Sequence, residues 1–377
     1  MRNISKYIQL EGDKTIWTVV ISLLVTSILV VYSVEGLNSV RIHIRNIFLG
    51  LIVLYAVHKL KFKYFSKLSV VGLIISIILL LFVLFIGIEI NGAKRWIYLG
   101  GLSFQPSDFA KVIILVFISR QISKYRNEIN TLKGFCFHLI LPLSIICLLI
   151  FPSNLSTAVL VFTNGFFLMV FGKIRPKYLF SILSLGLFLI LVVYFSGKYI
   201  PSFQDSVPRS KTWVNRIDSF INPNDNYVSE GGHQLNESKI AIKNGGIFGK
   251  GPGKGIQRHF LYASSSDFVY AITIEQYGIL FGGFLPMLLY LIFFYRCVII
   301  SNKTESVFGS LIVAGLSFSL LLQASINMAV NVGVLPVTGQ TLPLISKGGT
   351  SIIFTCISIG IILSVSRNSL DRDYERA

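Results

Sequence analysis

Ten apolar runs separated by short clusters of Lys and Arg constrain this chain more than any other feature. They cover about 16–34, 46–58, 68–90, 106–122, 135–151, 155–172, 178–196, 267–295, 307–330 and 350–366. Nine reach the roughly 17 residues that an α-helix needs to cross a bilayer, and only helices or closed barrels can carry a backbone through hydrocarbon. Charged residues are 14% of the chain, against roughly 25% for a soluble domain. The expectation is an all-α polytopic membrane protein, with residues 1–377 forming one membrane domain. The net charge of +17 raises nucleic acid as a partner. The basic residues, however, sit mainly between apolar runs, where they set orientation, so no nucleic-acid partner is expected.

The first run follows Arg2, Lys6 and Lys14. It is too long for a signal-peptide core and lacks a small-x-small cleavage site, so it reads as an uncleaved helix. The second run is short, with only thirteen residues between Arg45 and Lys59. Charge counting keeps it. With ten helices and both termini cytoplasmic, the inner segments hold 19 Lys and Arg and the short outer ones six. Dropping the second helix would put the cluster at 59–67 outside, against the orientation rule. The large outer loop then runs over 197–266 between helices 7 and 8. It carries Asp205, Asp218, Asp225, Glu230 and Glu237, and a short interfacial helix is expected at Ser238–Lys243. Cys136, Cys147, Cys297 and Cys356 lie in apolar runs and form no CxxC pair, so they read as small core residues. The five histidines, His43, His58, His138, His233 and His259, show no metal-ligand spacing.

The chain is organised around Gln234 to Gly278, where a polar, glycine-laced loop meets the start of an apolar helix. Asp267 stands at that junction. A partly dehydrated carboxylate has its ionised form disfavoured and its basicity raised, and an ionisable group at a membrane boundary is a functional candidate. The competing role is an N-cap, because Ser265-Ser266-Asp267 before an apolar run is also a helix start. Glu275, eight residues on, falls about 12 Å further along the axis and roughly 80° around it. That is no tight carboxylate pair; Glu275 reads as a deeper structural or relay group. The glycine run 245–255 satisfies neither GxxxxGK[ST] nor GxGxxG before a helix. Lys250, Lys254 and Arg258 nonetheless make it cationic, so a flexible loop and a phosphate contact both stay open.

Residues 91–111 place Lys94 and Arg95 on the outer side, against the orientation rule. Pro106 can begin a helix, which sets Asp108 and Lys111 three apart on one face as a pair. A Trp96 anchor with a salt bridge, or a cationic site for an anionic headgroup, would each explain the stretch. Residues 331–349, between helices 9 and 10, are apolar yet carry Pro336, Pro343 and several glycines. Irregular backbone at that depth survives only where protein or a water-filled cavity covers it, which favours a re-entrant segment.

Taken together these stretches resemble the SEDS family of bacterial envelope proteins (shape, elongation, division, sporulation) over roughly 15–366. The resemblance is carried in order by Gly92-Ala93, Arg95-Trp96-Ile97, Phe104-Gln105-Pro106-Ser107, Thr157-Ala158, Thr212-Trp213, Arg216-Ile217, Gln234, Ser238, Gly245-Gly246, Gly249-Lys250-Gly251, Asp267-Phe268, Glu275 and Pro336 to Ser351. Gly339 to Ser346 looks more like the division branch, FtsW, than the elongation branch, RodA. The resemblance implies a peptidoglycan glycosyltransferase that polymerises lipid II outside the cytoplasmic (inner) membrane, with a class B penicillin-binding protein and other divisome proteins as partners. It makes Asp267 the catalytic residue. Arg95, Trp96, Gln105, Lys111, Gln234, Ser238, Lys250, Glu275, Pro343 and Ser346 become the substrate-binding candidates. A divalent cation (magnesium or manganese) would assist, with no organic cofactor. Asp108, Asn154, Ser156, Gln276, Lys347 and the Tyr262–Ser266 stretch depart from the family's usual residues. Glycan polymerisation needs a base for the acceptor hydroxyl and positive charge for the departing pyrophosphate; Asp267 with Arg95, Lys111 and Lys250 would supply them. A lipid II transporter and a non-catalytic divisome scaffold are the competing classes.

Overall fold

The structure, a computed structural model, describes residues 11–90, 93–99, 102–207, 209–221 and 230–376. Arg2, Lys6, Asp225 and the 222–229 part of the expected outer loop lie outside those residues.

The first long element, α1 (Lys14–Lys59), is 46 residues folded double at Gly36. Gly36 has φ +78° and ψ −172°, a region open essentially to glycine alone. The two halves run antiparallel: Trp17 meets His58 with ring centroids 5.6 Å apart, and Ser27 bonds His43 at 2.7 Å. Asp13 caps the start, accepting from the Thr15 and Ile16 amides. The second span therefore runs from Gly36 to Lys59, longer than the apolar run 46–58. Arg41 and Arg45 belong to its Gly36 end and are exposed, as long basic side chains near a helix end can be.

After α2 (Lys63–Ile86) comes a feature absent from the sequence reading. The strands β1 (Ile88–Ile90), β2 (Ala93–Leu99) and β3 (Leu102–Phe104) form an antiparallel sheet in which Ile88 faces Trp96 and Ile97 faces Phe104. Helix α3 (Pro106–Lys124) begins at Pro106 as expected. The chain continues through α4 (Leu132–Phe135), a π turn, α5 (Leu141–Ile150), α6 (Leu155–Phe171) and α7 (Pro176–Tyr199). The stretch expected as the large outer loop is itself helical, with α8 (Pro201–Ser206), α9 (Ser210–Ile221) and α10 (Glu230–Gly245). The helix expected at Ser238–Lys243 is the second half of α10. Then follow α11 (Val269–Gly278), a π turn, α12 (Leu285–Lys303), α13 (Val307–Asn331) and α14 (Thr350–Arg376).

Seven helices among the described residues are long and apolar enough to cross a membrane. Folding α1 double turns seven into eight, and α3 and α6 complete the ten. Helix α3 is the less apolar one because it lies inside the bundle, packed on α2, α6 and α13, and needs no lipid-compatible surface. Interhelical polar bonds such as Asn164 Nδ2 to Ser319 Oγ at 2.9 Å help hold such bundles together where lipid supplies no hydrophobic drive.

Candidate functional site

Residues 332–349, between α13 and α14, form no regular element and enter the bundle. The Ile345 carbonyl accepts from Ser27 at 2.7 Å. Ser27 lies nine residues before the hairpin tip, about 13 Å along the helix. The Pro343 carbonyl accepts from the Tyr290 hydroxyl of α12. The Thr341 carbonyl accepts from Gln323 Nε2 at 2.9 Å, and Gln340 Nε2 reaches Thr157 Oγ1 of α6 at 3.0 Å. Residues 342–346 are buried among the helices, and the backbone there has the partners that irregular structure at depth requires. Leu344 is buried with φ +65°, a costly conformation for a large side chain that the surroundings enforce.

Asp267 sits where this segment meets the outer loop. The turn before it is built on the Ala263 carbonyl, which accepts the Ser266 and Asp267 amides at 3.1 Å and the Phe268 amide at 3.3 Å. Ala263 takes φ +64° to make it. The Ser346 hydroxyl donates to Ser266 O at 2.5 Å and accepts from the Leu342 amide at 2.7 Å. On the other side α13 presents two asparagines. Asn327 and Asn331 both donate through Nδ2 to the Asp267 carbonyl, at 2.8 and 3.0 Å.

Asn331 also settles whether Asp267 caps its helix. The N-cap of α11 is Phe268, which has no side chain that can cap. The Ala271 amide, which has no partner within its own helix, bonds instead to Asn331 Oδ1 at 3.0 Å. The first turn of α11 is thus capped from another helix, and the Asp267 carboxylate is released from that role. That carboxylate is half-buried, and the neighbouring Ser266 hydroxyl donates to the Ala263 carbonyl at 3.4 Å. Gly339 has φ +67°, and a Cβ there would stand 3.4 Å from Oδ2. Burial pushes the Asp267 pKa above the ordinary carboxylate value, opposed by the Arg216 charge.

The predicted site residues divide into groups. Lys111 donates to Gln323 Oε1 at 2.6 Å, with Asp108 Oδ1 3.9 Å away; the expected pair is present and is linked to the re-entrant segment through Gln323. Beneath it a cavity of about 10 Å³ has room for one water. Gln105 starts α3, its amide bonding Thr350 Oγ1 at 3.2 Å and its side chain Ser107 at 2.9 Å. Trp96 is half-buried on β2. Arg95 Nε and Arg209 Nη1 converge on the Ser153 carbonyl at 2.8 and 2.9 Å. Arg209 is buried, and its Nε has no partner among the described residues. Burial and the nearby Arg216 lower its pKa to about 10. Arg209 and Asn331 were missed by sequence reasoning as site residues; Arg216 carried the resemblance without being assigned a role.

The remaining candidates lie elsewhere. Gln234 is on α10, and Ser238 is fully buried, donating to Asn331 O at 2.8 Å. Glu275 is fully buried and accepts the Ile256 and Gln257 amides through Oε1 at 3.0 and 3.3 Å. The Lys250 amide donates to the Glu275 carbonyl at 2.9 Å. The glycine run is therefore docked on the far end of α11, about 12 Å of helix from Asp267. A concavity of about 460 Å³ along α10, lined by His233, Asn236, Glu237, Lys239 and Ile240, contains none of the candidates. Among the described residues no three His, Cys, Asp or Glu side chains gather into a metal cage.

A family model described as Cell cycle protein, spanning FtsW, RodA and SpoVE, matches residues 13–371. The chain is 31% identical over 327 residues to a probable peptidoglycan glycosyltransferase FtsW of Nitrosococcus halophilus, covering 84% of this chain and 80% of that one. It is 31% identical over 372 residues to the Lactococcus lactis protein of that name, covering 90% and 87%. Its fold matches a chain from a peptidoglycan synthase complex with TM-score 0.79 at 23% identity, over 95% of this chain and 98% of that one. It also matches Thermus thermophilus rod shape determining protein RodA with TM-score 0.70 at 22% identity, over 95% and 97%.

Proposed function

This chain belongs to the FtsW/RodA/SpoVE family of cell-cycle membrane proteins, and from that premise we propose that it is a peptidoglycan glycosyltransferase with Asp267 as its base. It would polymerise lipid II at the outer face of the cytoplasmic (inner) membrane, for septal wall, with a class B penicillin-binding protein and other divisome proteins. The relatives named FtsW support the activity and the septal role. The carrying observation is the state of Asp267. Its main chain is fixed by Asn327 and Asn331, its helix is capped by another residue, and its carboxylate stands half-buried with raised basicity.

In this reading the acceptor sugar's hydroxyl oxygen forms a bond to the donor's anomeric carbon. Its proton passes to Asp267, and the bond from that carbon to the lipid pyrophosphate breaks with its electron pair on phosphate. Positive charge fixed beforehand stabilises the departing anion without reorganisation. Arg216 and the Arg95–Arg209 pair supply such charge; the unpartnered Arg209 Nε–H is a donor suited to an anion. Lys111 lies deeper and keeps the re-entrant wall in place through Gln323. A divalent cation would be held chiefly by the pyrophosphate and water, as magnesium commonly is, since the described residues gather no carboxylate cage for it. When bound it would neutralise leaving-group charge.

The test is gel-resolved polymerisation of labelled lipid II by purified protein with its transpeptidase partner and magnesium. Long ladders from wild type and none from folded Asp267→Ala are expected. Ladders from both would remove Asp267 from the chemistry. Ladders from neither would favour lipid transport or scaffolding.

A further inference from the structure

The first half of α1 ends in Ser33, Val34 and Glu35 before the reversal at Gly36. A helix C-terminus carries partial negative charge and disfavours a carboxylate, so Glu35 gains nothing from its own helix. Two remote segments hold it instead. The Ser265 hydroxyl donates to Oε1, and the Lys347 ammonium donates to Oε2. Lys347 also donates its backbone N–H to the Ser265 carbonyl at 2.8 Å, which closes a ring of three residues far apart in the chain. Glu35 is 25% and Lys347 35% exposed, a partly shielded pair. The same tip accepts the Arg258 guanidinium on the Ser33 carbonyl, while the Ser33 hydroxyl donates to Gln276.

The ring's position is what matters. Ser265 lies inside the Ala263–Asp267 turn, two residues before the carboxylate. Lys347 follows Ser346, whose hydroxyl holds the Ser266 carbonyl. We propose that Glu35 is a positioning residue for Asp267: through Ser265 and Lys347 it pins the turn against the re-entrant segment and fixes where the carboxylate stands. This rests on the reading of Asp267 as the base. Glu35 itself touches no reacting atom.

The experiment uses the full chain with its partner in lipid nanodiscs. Glu35→Ala, Glu35→Gln and the exchanged pair Glu35→Lys/Lys347→Glu are compared with wild type. Hydrogen exchange of the Ser266, Asp267 and Phe268 amides reads the turn without any turnover, and lipid II polymerisation gives kcat and KM. In Glu35→Ala, exchange at those amides should quicken at least about tenfold and kcat fall about tenfold to a hundredfold, with KM changed by less than about threefold. The exchanged pair should recover most of both. Glu35→Gln, equal in shape, carries the test if the alanine variant does not fold, and should move both readouts the same way by less. Unchanged exchange, or faster exchange with kcat unaltered, overturns the proposal, as does a rise in KM alone. If wild type makes no polymer, the glycosyltransferase reading falls, and the exchange data identify that failure separately from a failure of the ring.

Discussion

Asn331 offers the sharpest test of how the site is built, because one buried side chain bonds three backbone groups there. Its Oδ1 accepts the Ala271 amide at 3.0 Å, and its Nδ2 donates to the carbonyls of Asp267 at 3.0 Å and Asn327 at 2.9 Å. Asn331→Ala leaves the Ala271 N–H buried and unpartnered, which costs about 1–3 kcal/mol. The Asp267 carbonyl keeps Asn327 as a donor at 2.8 Å, so the second loss is about one net hydrogen bond, near 1 kcal/mol. The local cost is about 3 kcal/mol, which corresponds to roughly a hundredfold increase in opening of the first turn of α11. Hydrogen exchange of the Ala271 amide in detergent or nanodiscs reads that directly, and polymerisation of lipid II reads its consequence. Asn331→Asp retains an acceptor for Ala271, favoured by the helix dipole, but loses the donor to Asp267 O. It should keep Ala271 protected while lowering turnover. Wild-type exchange at Ala271 in Asn331→Ala, with full polymerisation, would refute the idea that α13 caps and positions this turn.

Three further outcomes are expected. A base must be deprotonated to act, so polymerisation rises with pH through the Asp267 pKa; Arg216→Gln removes a charge that lowers that pKa, and the acid limb of the pH–rate profile should move to higher pH. Lys111→Met leaves Asp108 in the bundle without its cation and Gln323 without its donor. A loss of about 3–5 kcal/mol by denaturation is expected, with Lys111→Met/Asp108→Asn recovering part of it. Chelation of divalent cations should lower polymerisation by wild type, and added magnesium or manganese should restore it; full activity in chelator would remove the cation from the reaction.

Much of this protein was determined by local pattern. Apolar length gave the spans, since the bilayer acts on each segment as it enters, and the placement of Lys and Arg gave the expected direction. The Asp108–Lys111 pair followed from helical spacing, and Asp267 from its place where polar chain becomes apolar. The β1–β3 sheet had a signal too, Asn91-Gly92 between alternating residues, a strong hairpin cue masked by the surrounding hydrophobicity. The second span looked short because Arg41 and Arg45 break the apolar run although the helix continues through them.

What only the tertiary structure decided are the partnerships across the chain. No local rule assigns Asn331 to cap an amide sixty residues earlier, or brings Arg209 beside Arg95. Neither could it set Glu35 against Lys347, 312 residues away. Whether Asp267 caps its helix or stands free was undecidable from sequence, because both roles use the same residue at the same boundary. The answer lay in a side chain on α13, brought there by the packing of the bundle.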